Sequence, residues 1–251
     1  MLDENLVTIV LTTYNSEKFI DNTIKSVINQ TYKNWELLVV DDYSKDNTVK
    51  ILKKYSFANK KIKLFLNNKN RGCNYSRNFG IKNAGGRYLA LLDHDDLWLK
   101  NKLKKQLSFH KKNHCSMSCT YYRRYDKNGK IGSLIKAPYL ITYNALLNQN
   151  FIGLSTAMID LKQNINFHMI DLPLSDFPTW LKLLKDKKII LTLEEDLMRY
   201  FYDNSTSSAN KFSLAKQRWH IIKNVEKIST SRLFYCFTMY FFKSLFKYAK
   251  L

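Results

Sequence analysis

Glycine is scarce in this chain, with 7 residues in 251. None falls in a G-x-G-x-x-G or G-x-x-x-x-G-K-[ST] pattern, so a bound phosphate would not be held by a glycine-rich loop. Cysteine is rarer still. Cys73, Cys115, Cys119 and Cys236 lack zinc-ribbon spacing and read as reduced, mostly buried thiols. Cys115-x-x-x-Cys119 lies beside His114, but the stretch alternates like a strand, which argues against a metal site there. No apolar run reaches the roughly 20 residues needed to span a bilayer. The start, Met1-Leu-Asp-Glu-Asn5, lacks the basic region of a signal peptide. These absences predict a protein of the cytoplasm or of its membrane face. No internal repeat and no low-complexity linker divides the chain.

Acidic residues are also few, 21 against 41 Lys and Arg, for a net charge of +20. That excess implies an anionic partner: nucleic acid, an acidic membrane or a polyanionic substrate. Residues 211–251 carry nine Lys or Arg against the single Glu226.

What the chain does have is a concentrated acidic cluster behind an apolar run, Arg87-Tyr-Leu-Ala-Leu-Leu-Asp-His-Asp-Asp-Leu-Trp98. Residues 88–92 form a continuous apolar stretch typical of a strand buried on both faces. Asp93, Asp95 and Asp96 crowd its end and need a counter-charge. Their all-oxygen character suits Mg²⁺ or Mn²⁺, and residues 93 and 95 would point to the same side of a strand. The plainer alternative is an acidic turn in which Asp96 caps a helix over 97–110.

Earlier segments repeat the theme. Residues 6–11 read as a strand ending at Thr12-Thr13-Tyr14-Asn15. Asn15 or Ser16 then caps a helix over 17–29, with Phe19, Ile20, Ile24, Val27 and Ile28 on one face. A second strand over 35–40 ends in Asp41-Asp42, and Asp46 caps the next helix. A third strand over 62–66 leads through Asn67–Gly72 to a helix over 75–83. Gly85-Gly86 turn the chain into the central strand. Every polar cluster therefore falls at a strand's C-terminal end, the edge where open α/β sheets bind ligands. The second half is less regular. Strands are expected at 117–125, 154–159 and 189–193, with a turn at 127–130 and a helix over 178–184 with Pro178 in its first turn.

With these clusters placed, the first hundred residues resemble family 2 glycosyltransferases of the GT-A fold. The carrying residues are Val10-Leu-Thr-Thr-Tyr-Asn15, Ser26-Val-Ile-Asn-Gln-Thr31, Leu38-Val-Val-Asp-Asp42, Asn70-Arg-Gly72, Ser76-Arg-Asn-Phe-Gly80 and Leu91-Leu-Asp-His-Asp-Asp96. The resemblance covers residues 5 to about 110 strongly and continues more loosely to about 208. It implies an α/β fold with a mixed, mostly parallel central sheet flanked by helices. It further implies a nucleotide-binding half over 1–110 and an acceptor-binding half over 111–208; beyond 208 it carries nothing, and residues 209–251 read by their own pattern as a basic amphipathic helical extension. The implied activity is metal-dependent inverting transfer from a nucleotide-sugar, a UDP-sugar in the first instance, to a glycan or lipid-linked glycan. The implied setting is bacterial surface polysaccharide or lipooligosaccharide assembly at the cytoplasmic face of the inner membrane.

By the same resemblance, Thr12 and Tyr14 line the nucleobase and Asp42 accepts its ring N–H. Asp93 lies by the ribose, and Asp95 with Asp93 holds Mn²⁺ or Mg²⁺ on the diphosphate. Arg77 is either near the nucleotide or a structural partner of an acidic strand end, and His94 is a solvent-facing spacer. Leu174-Ser-Asp-Phe-Pro-Thr-Trp180 is similar to the family's acidic signature ending in Trp. It makes Asp176 the catalytic base, with a plain helix cap as the alternative. Ser175 replaces an acidic neighbour, which should leave Asp176 easier to ionise. Two departures stand out: Tyr43 occupies a usual glycine position, and Tyr202 is the nearest equivalent of a frequent histidine. A sugar nucleotidyltransferase would need a glycine-rich basic loop that is missing here. A nucleic-acid-binding protein would leave the Asp clusters unexplained, so no nucleic-acid partner is expected. Finally, Phe234, Phe237, Tyr240, Phe241, Leu245 and Tyr248 recur at helical spacing with Lys243, Lys247 and Lys250. That pattern suits a helix lying on an anionic membrane surface or one packed on the catalytic domain.

Overall fold

The strands are dictated by β-branched and leucine-rich runs that alternate between two buried faces. In this computed structural model, which describes residues 2–203 and 211–248, β1 (Asp3–Thr13), β2 (Trp35–Asp41), β3 (Ile62–Leu66) and β4 (Gly86–Asp93) pair in parallel in the order β3-β2-β1-β4. Helices α1 (Ile20–Ile28), α2 (Thr48–Ala58) and α3 (Cys73–Lys82) make the crossovers. The sheet continues through β9 (Met158–Asp160), β6 (Met117–Tyr125), β10 (Ile190–Phe201) and β5 (Leu97–Trp98). There β6 and β10 run parallel, whereas β9 and β5 pair antiparallel with their neighbours. β7 (Ile131–Ile135) pairs with β6 across the expected 127–130 turn, and β8 (Leu140–Ile141) pairs with β10.

Alternation sorts the core into two layers. Ile9, Leu11, Leu37, Val39, Ala90 and Leu92 face α1, α2 and α4 (Lys102–Asn113). Val10, Leu38, Leu89 and Leu91 face the opposite layer, with Ile81 of α3, Leu146 of α5 (Tyr143–Asn148) and Trp180 of α6 (Asp176–Lys185). Ile221, Ile222, Leu233 and Cys236 belong to this second cluster. The segment comprising α7 (Lys211–His220), a π-turn over Ile221–Val225 and α8 (Thr230–Tyr248) is thus packed on the domain through at least these residues, with α8 against α5. Gly86 is required where it stands, because a Cβ there would come within 2.4 Å of the Leu6 carbonyl oxygen.

Several local expectations change. Ser16 does not cap α1 with its side chain. Its carbonyl takes the N–H groups of Phe19 and Ile20, and its hydroxyl turns back to Tyr14. Asn15 instead accepts the N–H of Lys45, so this turn ties β1 to the loop after β2. The helix expected from residue 97 begins at Lys102, since Leu97 and Trp98 are taken up pairing with β10. Residues 154–156 form a 3₁₀ turn ahead of β9 rather than a strand. Tyr43, at the usual glycine position, adopts φ +72°, so a bulky residue occupies left-handed backbone that glycine takes without cost.

Candidate active site

The parallel register brings the polar strand ends together. Thr12 lies opposite Asp93 and Thr13 opposite Asp41. They open on a cleft of about 390 Å³ that Thr12, Tyr14, Asp42, Arg77, Asp93 and Asp95 all line. Every residue expected at the nucleotide and metal positions is therefore on one wall system. Cys73, Tyr200 and Phe201 also line it and were not anticipated. Cys73 is the one exposed thiol of the four, with Sγ 3.4 Å from Thr12 Oγ1.

Asp42 is buried and organises the rim. Its Oδ1 accepts Asn67 Nδ2 at 2.7 Å and Arg71 N at 2.9 Å, and its Oδ2 accepts Gly72 N at 2.8 Å. One oxygen thus carries a single donor and retains a lone pair. Arg77 satisfies both of its expected roles geometrically. Its buried guanidinium donates to Asp93 Oδ1 at 2.9 Å while lining the cleft.

Within the acidic turn the three carboxylates separate by environment. Asp96 is not a helix cap. It is buried, takes Phe201 N on Oδ1 at 3.0 Å and Ser155 Oγ on Oδ2, and burial with Asp95 and Asp93 nearby drives its pKa well up. Asp95 also has a raised pKa, from burial and then from Asp93 against the pull of His94. No other described residue donates a hydrogen bond to its carboxylate; only its main-chain carbonyl is engaged, by Tyr125 Oη at 2.6 Å. His94 is not a bare spacer, since its carbonyl accepts Thr23 Oγ1 at 2.7 Å and its ring lies 6.4 Å from that of Phe19.

This donor set fits a hard divalent cation. Asp95 is an under-neutralised carboxylate facing a cleft, and Asp93 stands beside it. Among the described residues no group of three His, Cys, Asp or Glu side chains could hold a metal. An ion here would take one or two carboxylates and complete its shell with water and substrate phosphate, the usual arrangement for Mg²⁺. Around Cys115 and Cys119 no third His, Cys, Asp or Glu joins the two thiols in a metal-binding group among the described residues. Both thiols are buried, and burial lifts them to about 12 and about 11.

Asp176 is the first residue of α6, and its Oδ2 accepts Asn150 Nδ2 at 3.0 Å. Burial pushes it up to about 6, while Phe177 N–H, Asn150 and Arg77 pull it down and Asp93 adds to the rise. Burial thus outweighs the lost acidic neighbour at 175. Asp176 is not among the residues that line the cleft, but it lies close enough to Arg77 and Asp93 to feel both charges. The loop carrying it is stapled to α3: Asn78 exchanges two hydrogen bonds with the Met169 backbone, and Asn74 holds Leu172 O. Trp180 is fully buried and stacks on Phe167, so it supports α6 from below. Tyr202 donates its N–H to Tyr125 O and lies under Arg124. Residues 204–210 of the polar loop that follows lie outside the described residues. So do the side chains of 240–248, which include most of the aromatic and basic positions expected on the last helix.

A sheet whose parallel strand ends gather nucleotide-type contacts, an acidic turn and a separate carboxylate defines a GT-A type glycosyltransferase. Residues 8–167 match the model for glycosyl transferase family 2, and the chain belongs to that family. The chain is 37% identical over 236 residues to the UDP-Glc:alpha-D-GlcNAc-diphosphoundecaprenol beta-1,3-glucosyltransferase WfgD of Escherichia coli, covering 93% of this chain and 92% of that protein. Among solved structures it superposes on S. aureus TarS 1-349 in complex with UDP-GlcNAc with a TM-score of 0.69 at 20% identity, over 94% and 71% of the two chains. It superposes equally, with a TM-score of 0.69 at 16% identity over 93% and 68%, on the mannosyltransferase PcManGT from Pyrobaculum calidifontis in complex with GDP-Man and Mn2+.

Proposed function

We propose that this glycosyltransferase moves a sugar from a UDP-sugar to a hydroxyl of a lipid-linked glycan, with inversion, in bacterial surface polysaccharide assembly. The observation that carries the reading is the pairing of a cleft-lining carboxylate to which no other described residue donates, Asp95, with a second carboxylate, Asp176, raised to about 6 and held by Asn150 within the influence of Arg77. The chemistry needs these two functions apart: one group to hold the leaving diphosphate's charge, the other to accept the acceptor's proton. The 37% identity to a UDP-glucose enzyme acting on a diphosphoundecaprenol acceptor supports the substrate class.

In this reading Thr12 and Tyr14 line the nucleobase, and the spare lone pair of Asp42 takes its ring N–H. Asp93 faces the ribose, and Arg77 holds Asp93 in place. Asp95, with Asp93, would hold Mn²⁺ or Mg²⁺, which supplies Lewis-acid neutralisation of the diphosphate. Asp176 takes the proton as the acceptor oxygen attacks the anomeric carbon from the face opposite the leaving group. A carboxylate raised to about 6 is a better base near neutral pH than an ordinary aspartate, yet still largely ionised there. We further place the protein as peripheral on the cytoplasmic face of the membrane, held by its basic C-terminal segment; no described helix is long and apolar enough to cross a bilayer.

The test is a screen of UDP- and GDP-sugars for Mn²⁺-dependent hydrolysis without acceptor, followed by transfer to a short-chain α-GlcNAc-diphospho-lipid. A UDP-sugar should be turned over and lose hydrolysis on chelation. Asp176→Asn should lose transfer by about 10²–10⁴-fold, the size of a general-base contribution, with donor affinity retained. Transfer that survives this substitution would make Asp176 a helix cap and remove it from the chemistry.

A further inference from the structure

The base does not stand alone. We infer that Asn150 is its positioning residue: a carboxamide, itself fixed in one orientation, that aims the Asp176 carboxylate and favours its ionised form. The inference rests on the reading of Asp176 as the base.

Three observations carry it. First, among the described residues Asn150 is the one side chain that donates to Asp176, Nδ2 to Oδ2 at 3.0 Å. Second, the amide cannot flip without loss, because Asn150 Oδ1 accepts the N–H of Ile152 at 3.1 Å. With its oxygen engaged there, the amide must present its NH₂ to the carboxylate. Third, the short segment that bears Asn150 is anchored at its other end to the acidic turn. Ser155 Oγ accepts Asp93 N at 3.0 Å and donates to Asp96, and Ser155 O accepts Trp98 Nε1 at 2.8 Å. Five residues thus connect the group that holds the base to the group that holds the metal-binding turn. They can span at most roughly 17 Å when fully extended. The segment therefore limits how far base and turn can part, and Asn150 sets the final direction of the carboxylate.

The charged groups facing Asp176 are Arg77 of α3, which favours its ionised form, and Asp93 at the end of β4, which opposes it. Asn150 adds a hydrogen bond from a neutral donor, without adding net charge to the acceptor side. Removing that donor leaves burial and Asp93 less opposed, so the carboxyl should hold its proton to higher pH.

The experiment compares the pH dependence of kcat/KM for transfer from UDP-glucose, or the UDP-sugar found active in the screen, to the α-GlcNAc-diphospho-lipid. Asn150→Leu keeps the shape and removes both polar contacts. Asn150→Asp keeps an acceptor for Ile152 N–H but sets a second carboxylate against the first. The acid limb should move up by roughly one pH unit in Asn150→Leu and further in Asn150→Asp. Turnover near pH 6.5 should fall about tenfold or more, while KM for the UDP-sugar stays unchanged. An acid limb that stays in place in both variants overturns the inference, as does loss of the folded protein in both, which would make Asn150 structural. Asp176→Asn in the same assay separates the two claims. If it retains transfer, the base assignment has failed; if it abolishes transfer while the Asn150 variants behave as wild type, only the positioning role has.

Discussion

Asp95 is held at an energetic disadvantage as long as its charge is unbalanced. Burial and Asp93 both favour its protonated form, and no other described residue donates to its carboxylate. Asp95→Asn should therefore raise the Tm of the metal-free protein at pH 7, because a neutral amide escapes both penalties. The same variant should lose the further rise in Tm that Mn²⁺ with UDP produces in wild type, since ligand stabilisation scales with affinity for the folded state. A wild-type-sized Mn²⁺ effect in Asp95→Asn would show that the cation sits elsewhere. Asp42, Asp93 and Asp95 were legible as cleft residues at this scale because each lies just past the end of an apolar run, and a carboxylate at the end of a buried strand has few structural explanations. Asn150 was not. It lies in an irregular stretch with no periodicity, and an asparagine acquires meaning only from the two groups it bridges. Asp96 misled for the opposite reason: an acid ahead of a helical pattern is an ordinary cap signal, and only the fold reveals that Phe201 and Ser155 have claimed it.

Elements with long, uniform patterns were readable, and those defined by distant partners were not. β2, β3 and β6 follow their apolar runs nearly residue for residue. β5 and β9, of two and three residues, exist only because β10, β4 and β6 lie alongside. Helix α4 shows how tertiary context can override composition. Its inward face presents Lys102, Gln106 and His110, all buried, at the spacing where a helix ordinarily carries leucines. Lys102 Nζ donates to Gln106 Oε1 at 2.9 Å over the ring of Trp98, and burial alone lowers its pKa to about 7. Between pH 7 and about 10.5 the folded protein holds a neutral amine there, whereas the unfolded chain holds the proton. Stability should consequently rise with pH across that window and level off above it. Lys102→Met should be flat over the same range and more stable than wild type at pH 6.5, by about 1–4 kcal/mol, as when buried ions give way to apolar groups of similar size. Urea unfolding at pH 6.5 and pH 9.5 checks both parts. A pH-independent wild type would mean that the amine reaches solvent.

At the scale of the molecule, the charge of +20 and the C-terminal segment bear on the same question. The sequence left open whether that segment lies on a membrane or packs on the domain, and the two are compatible because α8 has two faces. Leu233 and Cys236 are buried in the core shared with α6, whereas Phe234 is 59% and Tyr235 58% exposed. Lys223, Lys227 and Arg232 of the same segment are exposed, with Val225 also at the surface. Arg218 anchors the segment from within, donating to the carbonyls of Leu146 and Leu147 and lying 4.1 Å from the ring of Phe177, the neighbour of Asp176. Cutting the chain at 231 would therefore remove core residues, and its effects on membrane binding could not be separated from unfolding. Substituting Phe234 and Tyr235 together by Ser leaves Leu233 and Cys236 in place and removes the outward aromatic pair, together with the edge contact of Phe234 on Trp219. On the proposal that this face meets an anionic membrane, each nearby cation contributes about 1 kcal/mol and the rings seat the helix among headgroups. The double variant should sediment with phosphatidylglycerol vesicles markedly less than wild type, and wild-type binding should weaken steeply with salt. Donor hydrolysis and Tm should be close to wild type in both. Undiminished vesicle binding by the variant would assign the contact to another surface, and the lipid-linked acceptor would then have to reach Asp176 without this helix against the bilayer.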